Sequence, residues 1–204
     1  DIAVLGRDDK GAWSLRDNVN GQLFGFSLNE LEEGVNGACL REGSLNLRDG
    51  KLNVSIMPRE KIHLRGEYNV ANVLAAFAIG HAAGFPLEAM VEAVEDFRGV
   101  PHRLELAREW NGVRWYNNSI ASAPERTIAV LRAFEEPIVL LPGGRDKNLP
   151  WEAWMQPVRE RVAECPVFAA LRDAERDAVH MVVARRHSLA VGAIRIVGRS
   201  LSPG

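Results

Sequence analysis

GVPHRLELAREWNGVRWYNNSIASAPE, residues 99–125, is the stretch that decides the fold class. Leu104–Trp110 and Val113–Asn117 flank Asn111-Gly112. That dipeptide best tolerates the two positive φ angles of a type I′ turn, so a β-hairpin is expected here. The second strand runs out into Asn117, Asn118, Ser119 and Ser122, and Pro124 then opens a helix. Side chains at strand ends and helix starts sit on rigid elements yet face a crevice, where α/β proteins bind small ligands. His102 and Arg103 follow Pro101 directly. An arginine after a proline-fixed turn presents a planar fork suited to phosphate oxygens. Its plainer role is a surface ion pair with Glu105 or Glu109. His102 either orients the same anion or simply packs the hairpin.

Downstream, Thr127, Val130, Leu131 and Phe134 share the buried face of the helix from Pro124. PIVLLP, residues 137–142, is a short apolar strand of the kind found at the centre of a parallel sheet. GGRDK, residues 143–147, lets the chain turn at the carboxyl end of that strand and projects Asp146 and Lys147. This is a strand–glycine-loop crevice, not a Walker loop. A solvated loop is the simpler role for Lys147. Residues 149–163 read as a helix carrying Trp151 and Trp154. A helix over 168–178 and strands over 179–184 and 193–197 are expected beyond it.

Upstream, DIAVLG (1–6) reads as a buried strand. Residues 23–56 read as antiparallel sheet, with Leu45, Leu47, Leu52, Val54 and Ile56 alternating around Asp49-Gly50. KIHLR (61–65) reads as a further short strand. From Asn69 the period changes: Val70, Val73, Leu74 and Phe77 mark a helix ending near Gly84. Pro86 starts a second helix with Leu87, Met90, Val91, Val94 and Phe97 on one face. Asn69 serves as an N-cap, as a ligand contact, or as both. The glycine after Phe97 and Arg98 marks a domain boundary, giving units at 1–98 and 99–204.

Composition excludes more than it identifies. A net charge of −2 over 204 residues leaves no basic footprint for nucleic acid. No apolar run approaches a membrane span, and no signal peptide opens the sequence. Cys39 and Cys165 lack metal or redox spacing, which fits a reducing cytoplasm. The five histidines form no ligand motif.

GVPHRLE, NNSIASAP and GGRDK, in this order, resemble the three motifs that open the C-terminal domain of the Mur ligases. These are ATP-dependent amino-acid ligases of peptidoglycan precursor synthesis, and the best match is to the branch that adds D-glutamate. The resemblance covers roughly residues 1–160. It implies an α/β fold: the end of a Mur ligase central domain, then a Rossmann-like C-terminal ligase domain. It also implies a chemistry in which UDP-N-acetylmuramoyl-L-alanine is activated by ATP as an acyl phosphate and attacked by D-glutamate. The cofactors implied are ATP and Mg2+, with no magnesium ligand among these residues. The Gly-Lys-Thr phosphate loop would belong to a preceding part of the family's sequence, so this chain alone is expected to be inactive. The implied protein is a cytoplasmic monomer acting in cell-wall biogenesis, with no nucleic-acid or membrane partner.

The same resemblance assigns roles residue by residue. Asn69 and Asn72, in GEYNVANVLAA, match asparagines that contact the adenine nucleotide, with Tyr68 in place of the usual His. His102 and Arg103 fall on the phosphate side. Asn118 stands where an Asp usually binds the ribose, and an amide there keeps an acceptor but loses the charge. Ser119 and Ser122 keep hydroxyls toward the substrate, whereas Ile120 cannot replace the charge of the usual lysine. Lys147 would hold the incoming amino acid's carboxylate, so Lys147 and Arg103 are the expected catalytic pair. Gly6-Arg7-Asp8-Asp9 lacks the Asn of the family's Asn-x-Asp-Asp run, and a solvated turn is its plainer role. Beyond Cys165 the resemblance lapses. A start in mid-strand and an atypical tail suggest a truncated or frame-shifted reading frame. The rivals are another Mur ligase, a folylpolyglutamate synthase relative, or a non-catalytic α/β binding module.

Overall fold

A computed structural model describes residues 1–121, 123–141, 152–164 and 181–185. The chain opens with strand β1 (Ile2–Gly6), a single helical turn α1 (Lys10–Trp13), and strands β2 (Gln22–Ser27), β3 (Asn36–Arg41), β4 (Ser44–Asp49) and β5 (Leu52–Pro58). These form one sheet in sequential order, β1-β2-β3-β4-β5. The expectation of an antiparallel sheet over 23–56 holds only for its second half. β1, β2 and β3 pair in parallel, and antiparallel pairing begins between β3 and β4. Alternation places side chains on faces but carries no direction for the partner strand. β1 itself is half-buried rather than buried, because it lies at the sheet edge.

KIHLR does not form a strand. A 3-10 turn covers Arg59–Lys61 and irregular backbone follows, leading into helix α2 (Glu67–Ala82). Val70, Val73, Leu74 and Phe77 of α2 are buried against Ala38, Leu45, Leu47 and Met57 of the sheet. Each such side chain contributes about 1.5–3 kcal/mol by leaving water. Helix α3 (Leu87–Asp96) follows a short link, with Leu87, Met90, Val91 and Val94 against the same core. Phe97 falls just past its end, 46% exposed, so the apolar stripe stops one turn earlier than its spacing suggests.

Strands β6 (Glu105–Trp110) and β7 (Val113–Asn117) form the expected hairpin, with φ of +50° at Asn111 and +74° at Gly112. Both angles are those of a primed turn, and only glycine adopts the second without strain. Gly112→Ala should therefore lower stability by about 1 kcal/mol. Denaturant titration would show this as a lower midpoint, and an unmoved midpoint would mean the turn relaxes freely.

Helix α4 (Pro124–Arg132), strand β8 (Ile138–Leu141), helix α5 (Glu152–Arg161) and strands β9 (Val162–Glu164) and β10 (Met181–Arg185) complete the described elements. The second sheet runs β6-β7-β10-β8-β9. β10 lies antiparallel to both β7 and β8, and only β8 and β9 pair in parallel. β8 is thus interior and buried as expected, but in a mixed sheet. Tyr116, Val130, Leu131, Phe134, Ile138, Leu140 and Val158 form its core. The expected buried face of α4 is found, with Thr127, Val130 and Leu131 each no more than 4% exposed. The expected strand near 179–184 corresponds to β10, whereas the helix over 168–178 and the strand over 193–197 lie outside the described residues.

The two cores meet through one charged cluster. Arg65, just before α2, donates from both terminal nitrogens to the two carboxylate oxygens of Glu136, each at 3.1 Å. Arg114 of β7 reaches the same carboxylate. The Arg65 guanidinium also lies 4.9 Å from the Phe134 ring centroid and 5.6 Å from that of Tyr116, within cation–π range. Beside it, a Cβ on Gly66 would come within 2.7 Å of the Tyr68 ring and 2.9 Å of the Ala133 Cβ. Only a glycine lets the segment before α2 approach α4 this closely.

Candidate functional site

Where α2 faces α4 and the β6–β7 end, a cavity of about 240 Å³ opens to solvent. Pockets that enclose whole drug-sized ligands span about 300–1,000 Å³, so this one takes part of a ligand. Its apolar wall comes from Tyr68, Ile120, Ala121, Ala129 and Val130, and Asn72, Asn118, Arg103, Glu125 and Arg126 supply polar groups. Two guanidinium groups against one carboxylate leave the cavity positive. A flat, largely apolar group with an anionic extension matches that lining.

Arg103 reaches the cavity from a tightly held loop. Its neighbours His102 and Leu104 both adopt left-handed backbone, with φ of +64° and +48°. For side chains with a Cβ this costs about 1–2 kcal/mol each, so the surroundings must hold the turn. Leu104 N–H donates to Asn118 Oδ1 at 3.1 Å, His102 N–H to Glu105 Oε2 at 2.8 Å, and Arg103 N–H to the Val100 carbonyl at 3.1 Å. Asn117 Nδ2 donates to His102 Nδ1 at 2.8 Å, and Ile120 N–H to the His102 carbonyl at 3.3 Å. These bonds together shape the loop. The Arg103 side chain forms no ion pair among the described residues, and Glu105, one of its simpler partners, is turned toward His102 instead.

Asn118 is buried, and its oxygen holds the strained turn while the residue lines the cavity. Burial raises the Tyr68 hydroxyl pKa above its usual value, against the opposing pull of the Asn69 amide and the Arg103 charge.

The N-cap expectation for Asn69 is corrected here. Gly66 caps α2, and Asn69 lies inside the first turn, where its Nδ2 donates to the Arg65 carbonyl at 2.7 Å. Of the residues singled out in the sequence, Asn72, Arg103 and Asn118 share the cavity, together with Tyr68 and Ile120. Asn69, His102 and Ser119 do not line it. Ser119 N–H is taken by Asn117 Oδ1 at 3.0 Å. Ser122 and Lys147 lie outside the described residues, as does the whole GGRDK loop. Asp8 and Asp9 have structural partners: Asp9 caps α1 through Ala12 N–H, and Asp8 takes Ser27 Oγ and Leu28 N–H. Sequence reasoning passed over Glu125 and Arg126, although a proline-opened helix after a strand end puts its first turn at such a crevice.

No family model matches the chain. Curated proteins do. It is 40% identical over 151 residues to the UDP-N-acetylmuramoylalanine--D-glutamate ligase of Clostridium botulinum strain Langeland, covering 74% of this chain and 31% of that one. The ligase of the same name from Clostridium novyi is 37% identical over 178 residues, covering 87% and 37%. Among solved structures, two Acinetobacter baumannii Mur ligases superpose. One is MurF, with a TM-score of 0.52 over 69% of this chain and 31% of that one. The other is the UDP-N-acetylmuramoylalanyl-D-glutamyl-2,6-diaminopimelate--D-alanyl-D-alanyl ligase, with a TM-score of 0.56 over 78% and 35%. Both are 20% identical, so they speak for the fold.

The chain is a homologue of the Mur ligases.

This Mur ligase homologue spans about a third of the length of the curated relatives it matches. Its α/β architecture is that of the family's solved members. Among the described residues no helix of the homologue is long and apolar enough to cross a membrane. Nor, among the described residues, does any group of three His, Cys, Asp or Glu side chains converge.

Proposed function

We propose that this chain is the nucleotide-facing part of an ATP-dependent carboxylate–amine ligase joining D-glutamate to UDP-N-acetylmuramoyl-L-alanine. In this reading residues 1–98 end the central ATPase domain and residues 99–204 form the C-terminal domain of a cytoplasmic, monomeric enzyme of peptidoglycan precursor synthesis. The main support is the convergence of Asn72, Arg103 and Asn118 on one positive, partly apolar cavity, in a chain whose relatives carry that activity in their names.

ATP supplies the phosphoryl group that activates the substrate carboxylate as an acyl phosphate, a transfer governed by positioning and charge neutralisation. Tyr68, Ile120 and Ala129 offer an apolar wall for the base, and Asn118 faces the sugar while keeping the Arg103 loop in its strained form. Arg103 neutralises phosphate oxygens with a guanidinium not already paired among the described residues. His102 ties that loop to β7. Ser119, Ser122 and Lys147 are assigned to the amino-acid side on the sequence motifs, with Lys147 holding the D-glutamate carboxylate.

The 204 residues contain no Gly-x-x-x-x-Gly-Lys-Ser/Thr stretch. Isothermal titration of the purified chain with ADP should therefore show weak binding, with a Kd of about 1 mM or tighter. Phosphate release with ATP, Mg2+ and both substrates should stay at blank level. Absence of ADP binding would overturn the nucleotide reading, and turnover by the chain alone would overturn the division of labour.

A further inference from the structure

We propose that Asn117 is a positioning residue that holds the His102 ring neutral, with its proton on Nε2, and that the turn carrying Arg103 keeps its shape only in that protonation state. The consequence for nucleotide binding rests on the reading above, whereas the state of the ring does not.

The Ser119 backbone N–H fixes the polarity of the whole relay. It can only donate, so the Asn117 arm 3.0 Å from it must be the oxygen, Oδ1. The other arm is then Nδ2, which also only donates, and it lies 2.8 Å from His102 Nδ1. Nδ1 must therefore accept, which leaves Nε2 to carry the proton of a neutral imidazole. Reversing the amide would set two donors together at Ser119. Moving the ring proton to Nδ1 would set two together at His102. A protonated ring, with an N–H at each nitrogen, meets the same conflict.

Among the described residues the charged group that competes for the ring is Glu105. Its Oε2 lies 3.8 Å from Nδ1 and already accepts the His102 backbone N–H at 2.8 Å. Residues 117–121 across the turn carry no charge, and Arg103 is the adjoining cation. On acidification the ring gains a proton at Nδ1, gives up Asn117 and swings to the Glu105 carboxylate. His102 and Leu104 both hold left-handed backbone, with φ of +64° and +48°, and such conformations persist only where the surroundings enforce them. Without Asn117, the His102 end of the turn keeps to residues 117–121 only the bond from Ile120 N–H to its carbonyl, at 3.3 Å the longest around the loop. Arg103 sits between the two strained residues, so its approach to the cavity loosens with them.

Nitrogen NMR of the 204-residue chain reads the ring directly, since two-bond proton–nitrogen couplings separate the tautomers. The His102 signals, assigned by their loss in His102→Gln, should show the proton on Nε2 at about pH 7.5. Asn117→Asp keeps an acceptor for Ser119 N–H but turns a second acceptor on the ring, so a proton should appear on Nδ1. A plain loss of stability would not transfer that proton. Titration with ADP supplies the second readout. Wild-type protein should bind about 3- to 10-fold more tightly than Asn117→Ala at about pH 7.5, and the two should come within about 2-fold at about pH 5. Ionisation of the ADP phosphates acts on both proteins alike and cancels in the ratio. A wild-type ring protonated on Nδ1 at the higher pH overturns the proposal, and so does a ratio equal at both pH values, which would leave Asn117 a merely structural residue. Should the alanine variant fail to fold, or ADP not bind, the ring signals still decide together with the Leu104 and Ile120 amide resonances. Those amides should shift in step with His102 as it titrates, and unmoved amides overturn the coupling. Absence of ADP binding removes the nucleotide reading alone.

Discussion

Replacing Glu136 by alanine is expected to destabilise the chain by about 3 kcal/mol, because it leaves the two guanidinium groups of Arg65 and Arg114 facing each other without their shared anion. Arg65 and Glu136 are only 28% and 22% exposed, so water screens the loss poorly. For a domain of this size the melting temperature should fall by roughly 6–12 °C. Burial alone would push the Glu136 carboxyl up. The hydrogen bonds and charges of Arg65 and Arg114 outweigh it, bringing the pKa from an ordinary 4.5 to about 2. A carboxyl depressed in the folded state stabilises above its unfolded value, and that stability is lost as pH falls through the folded one. The wild-type protein should thus lose up to about 3 kcal/mol between roughly pH 5 and pH 2 through this group. Glu136→Gln should flatten that acid limb, so the two unfolding free energies converge near pH 2. Parallel curves for the wild type and the Glu136→Gln variant across that window would show that the carboxylate contributes nothing to the junction between the two cores.

Arg103→Ala should weaken ADP binding by about 10- to 150-fold, the equivalent of one charge-assisted hydrogen bond at roughly 1.5–3 kcal/mol. The substitution leaves the loop's backbone bonds in place, from Leu104 N–H to Asn118 and from His102 N–H to Glu105. Thermal stability should therefore change little, separating loss of a ligand contact from loss of the turn. Arg103→Lys keeps the charge but not the fork, so its affinity should fall between the two. Titration calorimetry at low and moderate salt checks this, since a phosphate contact weakens with ionic strength. An Arg103→Ala variant with wild-type affinity would return the residue to an ordinary surface arginine. In a full-length reconstruction, Lys147→Ala should show the mirror image, impairing D-glutamate use more than nucleotide use.

Local patterns were legible where their cause is local. The helical spacing of Val70, Leu74 and Phe77, the Asn111-Gly112 turn and Pro124 at the first position of α4 all express short-range geometry. Partner choice was not. Gln22–Ser27 and Asn36–Arg41 carry no signal for the direction of their partner, and they pair in parallel. KIHLR alternates too, but Ile62 alone of it is buried, so the segment has no sheet to join. At the site, the motifs pointed to Asn72, Arg103 and Asn118, which meet in the cavity. That Asn69 is tied to the Arg65 carbonyl while Asn72 lines the cavity was hidden, because it depends on which backbone carbonyl lies within reach. The Arg65–Glu136 pair, 71 residues apart, carried no signal in the sequence at all.

The order of the second sheet has a consequence for synthesis. β10 sits between β7 and β8, although it follows both in sequence. On the ribosome, β7 and β8 emerge long before the strand that joins them, so each waits with an open edge for an intervening stretch of chain to be translated. Closing such a long loop is slow, and open edges invite pairing with other nascent chains. A chaperone that shields this gap should raise the yield of folded protein more than one that acts on the first sheet, whose strands add in the order they are made.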